Sequence, residues 1–271
     1  GHAPVAGWDG AFGAQYRDRD FDSTGEETFL PDSELTSVGV FVLEQRDIGD
    51  WHFEAGARYE HQWAGSGGMD TSHDLINVSA GASWRFLEEH QVGVAYVHAN
   101  RAPSIEELFS DGAHLATNTF EIGNAGLDKE RSNNVDLSIA RIAGGWTWQI
   151  NLFYNRIDDF IYLAENDRNG DGIADRVEPD FSGDPGDIAP ADELDELLLV
   201  NYAQADAEFY GLEAETVLDL IDDTRGHVDV RLWGDYVRAK LVNGDDLPRI
   251  PPHRYGASVR WDRGFWSASL D

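Results

Sequence analysis

One segment of the chain has the spacing of a calcium-binding loop. Residues 167–178 carry side-chain oxygens at loop positions 1, 3, 5, 9 and 12, and Gly172 stands at position 6, where such loops turn sharply. The predicted ligands are the side chains of Asp167, Asn169, Asp171, Asp175 and Glu178 and the backbone carbonyl of Ile173. Hard oxygen ligands at this spacing suit the coordination of Ca²⁺. Neither flank has a helical pattern, so the sequence predicts a structural Ca²⁺ in a surface loop, with a solvated Asp/Gly turn as the alternative.

A second candidate is His114, whose neutral imidazole could bind a softer metal ion. A histidine on a polar loop can coordinate Zn²⁺ through one ring nitrogen. Most isolated histidines are not metal ligands, and the nine histidines of this chain are scattered. The residue type alone therefore leaves zinc binding and an ordinary polar role open.

The chain shows no enzyme motif. The Gly-x-Ser-x-Gly elbow, the His-Glu-x-x-His motif, the phosphate-binding P-loop and the dinucleotide fingerprint are all missing from the sequence. Cysteine is also missing, which excludes a disulfide framework, a thiolate nucleophile and Cys-ligated zinc. We therefore predict that the protein is not an enzyme, with no catalytic residue and no catalytic cofactor.

Charge and composition exclude two further classes of protein, nucleic-acid-binding proteins and acidic disordered tails. The 271 residues include 51 acidic and 20 basic ones, a formal net charge of −31, so the surface would repel a phosphate backbone and nucleic acid is not an expected partner. With 41% hydrophobic and 11% aromatic residues, the chain is too apolar for an acidic disordered tail. The acidic residues concentrate in segments 20–35 and 161–196. Such segments attract cations, although an acidic surface is equally expected of a protein from a salty habitat.

Alternation of apolar and polar residues is the main structural signal. It is clearest from residue 53 onward, where one face consists of Phe53, Ala55, Ala57, Tyr59, His61 and Trp63. The same period of two recurs along the chain and predicts an all-β fold of about twelve strands. Their predicted ranges are 8–19, 36–46, 51–62, 73–86, 91–100, 132–141, 145–160, 196–207, 208–220, 227–240, 253–262 and 265–271. The junction near 207 leaves an alternative open, namely one long strand over 196–220. No run of about 18–20 apolar residues, as a membrane helix requires, is present in the sequence.

The connections between these strands alternate in length, which indicates a membrane barrel. Short ones are predicted near 47–50, 87–90, 142–144, 221–226 and 263–264, and long ones near 20–35, 63–72, 101–131, 161–195 and 241–252. Outer-membrane barrels have short periplasmic turns and long extracellular loops, with aromatic residues at both strand ends. The polar faces carry charges that suit a wet lumen, namely Arg58, Glu60, Arg85, Glu213, Glu215, Asp229 and Arg231. The alternative is a large soluble antiparallel sheet whose aromatic residues form a core.

Several motifs closely resemble the barrel of TonB-dependent outer-membrane receptors. They are RAPSIEELF at 101–109, HLATNTFE at 114–121, ERSNN at 130–134, NRIDDFIY at 155–162, EFYGLEAE at 208–215, GDYVR at 234–238 and PRIP at 248–251. The resemblance covers nearly the whole chain. It implies that residues 1–271 are one segment of an antiparallel transmembrane β-barrel of about 22 strands, with about 11–12 of them present. It also implies contact with outer-membrane lipid and import driven by the TonB complex. The plug domain and TonB box are missing, so a fragment of a receptor is expected.

The HLATNTFE form resembles the zinc-uptake branch of these receptors. This resemblance implies that His114 is a zinc ligand on an extracellular loop facing the lumen. Glu26 and Glu27, in the segment GEETFLP, resemble a second loop motif of the branch and could supply oxygen ligands, whereas Glu121 could equally cap its own loop. The implied function is import of zinc or a zinc complex. Two alternatives stay open, a siderophore receptor and, from another class, a secreted calcium-binding β-protein.

Overall fold

The computed structural model describes residues 1–24, 29–168, 170–177, 196–244, 247 and 250–270, together with the backbone of 188–189. These residues form sixteen strands and one short helix. In chain order they are β1 (His2–Val5), β2 (Trp8–Phe21), β3 (Ser33–Ile48), β4 (Trp51–Ser66), β5 (Met69–Leu87), β6 (His90–Arg101), α1 (Ile105–Phe109), β7 (Asp111–His114), β8 (Thr119–Ile122), β9 (Glu130–Arg141), β10 (Trp146–Glu165), β11 (Arg176–Val177), β12 (Ile188–Ala189), β13 (Leu197–Asp223), β14 (Gly226–Leu241), β15 (Arg254–Arg263) and β16 (Trp266–Leu270). Within the described part of the chain, no helix is long and apolar enough to cross a membrane.

Twelve of the strands form one antiparallel path. Its order is β1-β2-β3-β4-β5-β6-β9-β10-β13-β14-β15-β16, so each strand of the path pairs with the one that follows it. The other four strands belong to the long connections, and β8 pairs in parallel with the first residues of β13. The all-β antiparallel prediction is confirmed, with this parallel pair as a local exception.

The short turns lie at one end of the sheet and most long connections at the other, as predicted. The exception is the connection predicted at 63–72, where β4 and β5 continue until Ser66 pairs with Met69. Gly67 and Gly68 alone make this turn, and both have positive φ, +59° and +86°. Both central residues of such a two-residue turn have positive φ. Glycine adopts positive φ without the steric cost that a side chain would add, which explains the two glycines.

The ranges 196–207 and 208–220 form the single strand β13, so the division at 207 was wrong and the alternative of one long strand is confirmed. Ala207 and Glu208 are consecutive members of both of its ladders, with β10 and with β14. The irregularity lies on the partner strand β10, where the register shifts between Ile157 and Phe160 and Asp159 has a φ of +57°. The prediction also missed α1 and the hairpin β7–β8, which lie inside the connection predicted at 101–131.

The middle sections of the strands, here called the wall, expose one apolar face. Tyr59 pairs with Ile76 on this face, and their side chains are 46% and 54% exposed. The alternate residues carry charge on the opposite face, where Arg58 pairs with Glu60 and Arg231 with Glu215. A single sheet with one exposed apolar face and one ion-paired face agrees with the prediction of a lipid-facing side and a lumen-facing side. It does not agree with a soluble sandwich.

The long-loop ends of the strands, together with the loops themselves, form a second region, here called the cap. Buried apolar side chains of the described residues form three clusters, and all of them lie in the cap. The first consists of Leu30, Ala64, Ile105, Leu108, Phe109, Leu127 and Ile161; the second of Ala113, Phe120, Val177, Leu197 and Leu199; the third of Ala207, Ala239, Leu241 and Leu247. The loops are therefore packed on one another and on the strand ends.

Candidate metal site in the cap

The loop between β6 and β9 is held at its base by Arg101. The Arg101 Nε donates to Glu130 Oε2 at 2.7 Å, and its Nη1 donates to Glu107 Oε2 at 2.8 Å. Glu107 also completes a capping box with Ser104 at the start of α1. These charge-assisted hydrogen bonds fix the direction in which the chain leaves β6 and enters the hairpin β7–β8.

The hairpin β7–β8 carries His114 at its tip. His114 is the last residue of β7 and pairs with Thr119, and the turn between them includes Asn118 with a φ of +57°. On β8, Phe120 pairs with Leu199 of β13, and both side chains are 0% exposed. The hairpin is therefore packed against a long strand of the barrel, which gives His114 a fixed base.

A buried carboxylate orients the His114 ring. Glu121 is only 3% exposed, and its Oε1 lies 2.9 Å from His114 Nδ1. The Thr119 hydroxyl donates to the same oxygen at 3.0 Å, and the Tyr202 hydroxyl donates to Oε2 at 3.0 Å. When Nδ1 donates its hydrogen to a carboxylate, the other ring nitrogen carries the lone pair that binds a metal. The His114 side chain is 30% exposed, so the ring is not sealed inside the cap.

Tyr202 keeps its proton in this arrangement. Burial raises the pKa of Tyr202, and the neighbouring Glu121 carboxylate raises it further. The hydroxyl therefore remains a donor to Glu121 across the ordinary pH range. Sequence analysis left the role of Glu121 open and did not single out Tyr202 or Thr119. The pairing of His114 with Glu121 across one short hairpin could have been inferred from spacing, but the contact with Tyr202 depends on the fold.

The β2–β3 loop contacts His114 from the other side. The Phe29 ring stacks on the His114 ring with centroids 4.4 Å apart and planes 3° apart. The Phe29 carbonyl accepts the Asp111 N–H at 2.8 Å. Glu26 and Glu27, predicted as oxygen ligands, lie outside the described residues.

The predicted calcium loop is described only in part, because Asn169 and Glu178 lie outside the described residues. Asp167 accepts backbone N–H groups of Gly170 and Gly172 at 2.6 and 2.8 Å, and Arg168 N–H donates to Asp175 Oδ2 at 2.6 Å. Among the residues that the structure does describe, no three His, Asp or Glu side chains converge into a metal site. Calcium binding by this loop and zinc binding at His114 thus stay predictions.

Comparison with known proteins identifies the family. The sequence profile described as "TonB dependent receptor-like, beta-barrel" matches residues 2–271. The vitamin B12 transporter BtuB of Vibrio cholerae serotype O1 is 23% identical over 163 residues, which cover 60% of this chain and 23% of that protein.

Solved structures agree with this fold. The ferric enterobactin receptor PfeA from Pseudomonas aeruginosa, in complex with enterobactin, has a TM-score of 0.65 at 16% identity, over 95% of this chain and 38% of that one. The copper transporter OprC has a TM-score of 0.65 at 13% identity, over 88% of this chain and 34% of that one. In each case the match spans well under half of the relative's length.

Three predictions are thereby confirmed: the barrel fold, the outer-membrane location, and a family of receptors and not of enzymes. The outer-membrane location also removes the alternative of a secreted protein. This chain belongs to the β-barrel family of TonB-dependent receptors.

Proposed function

We propose that the receptor containing this chain imports Zn²⁺, or a small zinc complex, and that His114 is the first side chain to bind it. The observation that carries this proposal is the contact of His114 with the buried Glu121. Neutral histidine ligands of zinc commonly donate their second ring N–H to a carboxylate, which fixes the ring and makes the ligand more basic. Here that carboxylate is itself held by the hydroxyl groups of Thr117, Thr119 and Tyr202, so the arrangement exists before any metal arrives.

The charge around the site supports a cation as the substrate. The net charge of −31 raises the local concentration of cations near the loops, where segments 20–35 and 161–196 are rich in carboxylates. An imidazole nitrogen favours Zn²⁺ over Ca²⁺, because Ca²⁺ prefers oxygen ligands only. Glu26 and Glu27 would complete the site from the loop that carries Phe29. An open site of few ligands can also release its ion inward.

Energy for import would come from the TonB complex through a plug domain, as the family relationship suggests. A plug would add ligands of its own, so this chain alone is expected to bind zinc weakly. TonB, the plug and the metal are therefore the proposed partners of the whole receptor, beside the lipid around the barrel.

The second candidate function is uptake of an organic metal complex such as a siderophore. It is favoured by a cavity of about 490 Å³ on the wall, whose lining includes Gln149, Asn151, Arg231 and Trp233. Arginine, amide and indole groups suit a polar aromatic ligand better than a bare ion. This cavity lies far along the strands from His114, so the two functions use different residues.

Growth of cells under zinc chelation separates these functions. Cells carrying the complete receptor should grow and accumulate zinc, and His114→Ala should abolish this benefit. Glu121→Gln should weaken zinc uptake by about 10–100-fold, as loss of an outer-shell carboxylate does. His52→Ala is the matched control, since His52 contacts Asp47 at the short-turn end. Full zinc uptake by the His114→Ala receptor would exclude its role, and rescue of iron starvation instead of zinc starvation would establish the second candidate.

A further inference from the structure

The loop between β6 and β9, residues 102–129, meets β5 at His73. Gln62 of β4 pairs with His73, and its side-chain amide donates to the Pro103 carbonyl at the start of the loop at 3.4 Å. At the end of the loop, Asp128 Oδ1 lies 3.9 Å from His73 Nδ1. The His73 side chain is only 10% exposed. Both ends of the β6–β9 loop therefore lie against one covered histidine, which has no part in the proposed metal site.

The last residues of this loop, 127–129, are fastened to two strands. Asp128 N–H donates to Gln204 Oε1 of β13 at 2.9 Å, and Gln204 Nε2 donates back to the Asp128 carbonyl at 2.9 Å. Lys129 Nζ donates to the Asp74 carbonyl of β5 at 2.5 Å. Leu127 is 4% exposed and belongs to the first apolar cluster. These contacts are separate from the strand ladders of the wall, so they can open while the wall stays intact.

This part of β5 lies beyond the apolar band of the wall. Tyr59 and Ile76 form an apolar row on the outward face, and in the next row toward the long loops His61 pairs with Asp74. The His61 Nδ1 and the Asp74 carboxylate are hydrogen-bonded at 2.7 Å. An ionisable pair on the outward face indicates water and headgroups at this level and not hydrocarbon. His73 faces the opposite side of the sheet, under the β6–β9 loop.

The surroundings of His73 suit an uncharged ring. A charged ring has two N–H donors, but among the described residues only Thr71 Oγ1, 3.3 Å from Nε2, lies within hydrogen-bond distance of it. The titratable groups that face His73 are Asp128 and Lys129 of the loop and His61 of β4. Asp128 attracts a charge but is too far away to accept a hydrogen bond, and the other two repel it. Burial lowers the pKa of His73, and Asp128 does not reverse this effect.

The proton balance fixes the direction of the pH effect. A histidine in water titrates near about pH 6.5, whereas the covered His73 takes up a proton only at lower pH. Well above pH 6.5 the ring is uncharged whether the loop is closed or open, so the closed form keeps its full stability. Below that pH the open form binds a proton that the closed form does not. The stability of the closed loop therefore falls with pH until the lowered pKa of the covered ring is reached.

We propose that His73 is a pH sensor that releases the end of the β6–β9 loop from β5 when the medium becomes acidic. The uncharged ring fits under Pro103 and Asp128, and the charged ring needs water, which reaches it when residues 127–129 lift away. Because the same loop carries the hairpin β7–β8, its release loosens the cap above the lumen. The proposal does not depend on the imported substrate.

The test is hydrogen–deuterium exchange of the complete receptor in detergent with a metal chelator, between about pH 5.5 and pH 8. The segment to follow is 123–131, which includes the Asp128 N–H bonded to Gln204. After correction for intrinsic exchange, protection should be constant above about pH 6.5 and fall by up to about tenfold per pH unit below it, the limit for one proton. Exposed carboxylates titrate near about pH 4, outside this range. His73→Gln should give constant protection throughout, because its amide stays uncharged.

His98→Gln is the matched control, since His98 contacts Asn133 elsewhere on the sheet, and it should keep the fall. Asp128→Asn changes a side chain that is 62% exposed and removes the carboxylate that favours a charged ring, so the fall between pH 8 and pH 5.5 should become larger. Constant protection of the unmodified receptor down to pH 5.5 would overturn the proposal. An equal fall in His73→Gln would do the same, because another group would then be responsible, and a smaller fall in Asp128→Asn would contradict the sign of the effect.

Discussion

The wall and the cap place similar apolar side chains in different surroundings. Phe120 in the cap is 0% exposed, because it packs against β13 and the hairpin that carries His114. Phe12 in the wall is 71% exposed, and its partner would be lipid. Large apolar residues on the wall therefore follow mainly a period of two, with Phe41 and Leu43 on the lumen face as exceptions, whereas those in the cap follow contacts between distant loops. The chain folds against two different solvents, and each region needs its own kind of test.

Truncation of a phenylalanine should have its largest effect in the cap. Phe120→Ala should lower the free energy of unfolding by about 3–5 kcal/mol, because it leaves a cavity among buried neighbours. Phe12→Ala should have a much smaller effect in a detergent or lipid that fills the space. The measurement is urea unfolding of the two variants of the complete receptor. Equal losses at the two positions would contradict the distinction between wall and cap.

A charge placed on the wall should distinguish its two faces. Leu152→Arg faces lipid and should cost about 2–4 kcal/mol near the bilayer centre. Asn151→Arg, one residue earlier, faces the lumen beside Glu213 and should cost little. Unfolding in lipid vesicles gives both values. A larger loss for Asn151→Arg would reverse the assignment of the faces.

Sequence analysis predicted the wall well because lipid acts on each strand separately. Alternation such as Phe53, Ala55, Ala57 and Tyr59 is a local signal, so strand ranges and the side that faces lipid could be inferred without a partner. The turn at Gly67 and Gly68 was missed because polar residues at the strand ends resemble a loop. In the cap, His114 could be selected as a candidate, but the contact of Glu121 with Tyr202 joins residues 81 positions apart. Such contacts leave no periodic pattern in the sequence.

Removal of one hydroxyl should weaken the candidate metal site without changing its ligand. Tyr202→Phe leaves Glu121 Oε2 buried without its donor, which should cost about 1–3 kcal/mol. The affinity for zinc should fall as well, because the carboxylate that orients His114 loses one of its hydrogen bonds. Tyr255→Phe is the control, because Tyr255 is 83% exposed. Calorimetric titration with Zn²⁺ measures the effect, and unchanged affinity for Tyr202→Phe would separate this tyrosine from the site.

Calcium should give the smallest of these effects. If loop 167–178 binds Ca²⁺ with a dissociation constant of about 1 mM, then about 5 mM Ca²⁺ should stabilise the ordered form of the loop by about 1 kcal/mol. Proteolysis within the loop should slow in Ca²⁺ and not in Mg²⁺. The Asp167→Asn variant should lose this protection, whereas Asp22→Asn in another acidic loop should keep it. Cleavage that is independent of Ca²⁺ would leave only a solvated acidic turn.

The most direct test of the account is site-directed spin labelling along β10. The chain contains no cysteine, so a single cysteine can be introduced and labelled at each position from 147 to 154. In membranes, labels at Ile150 and Leu152 should be accessible to oxygen dissolved in lipid, and labels at Gln149 and Asn151 should not. Accessibility should alternate with a period of two along positions 147–154, and a second series of labels at positions 197–202 of β13, in the cap, should lack this period. Equal access of a water-soluble nickel complex to labels at Asn151 and Leu152 would contradict a lipid-facing wall.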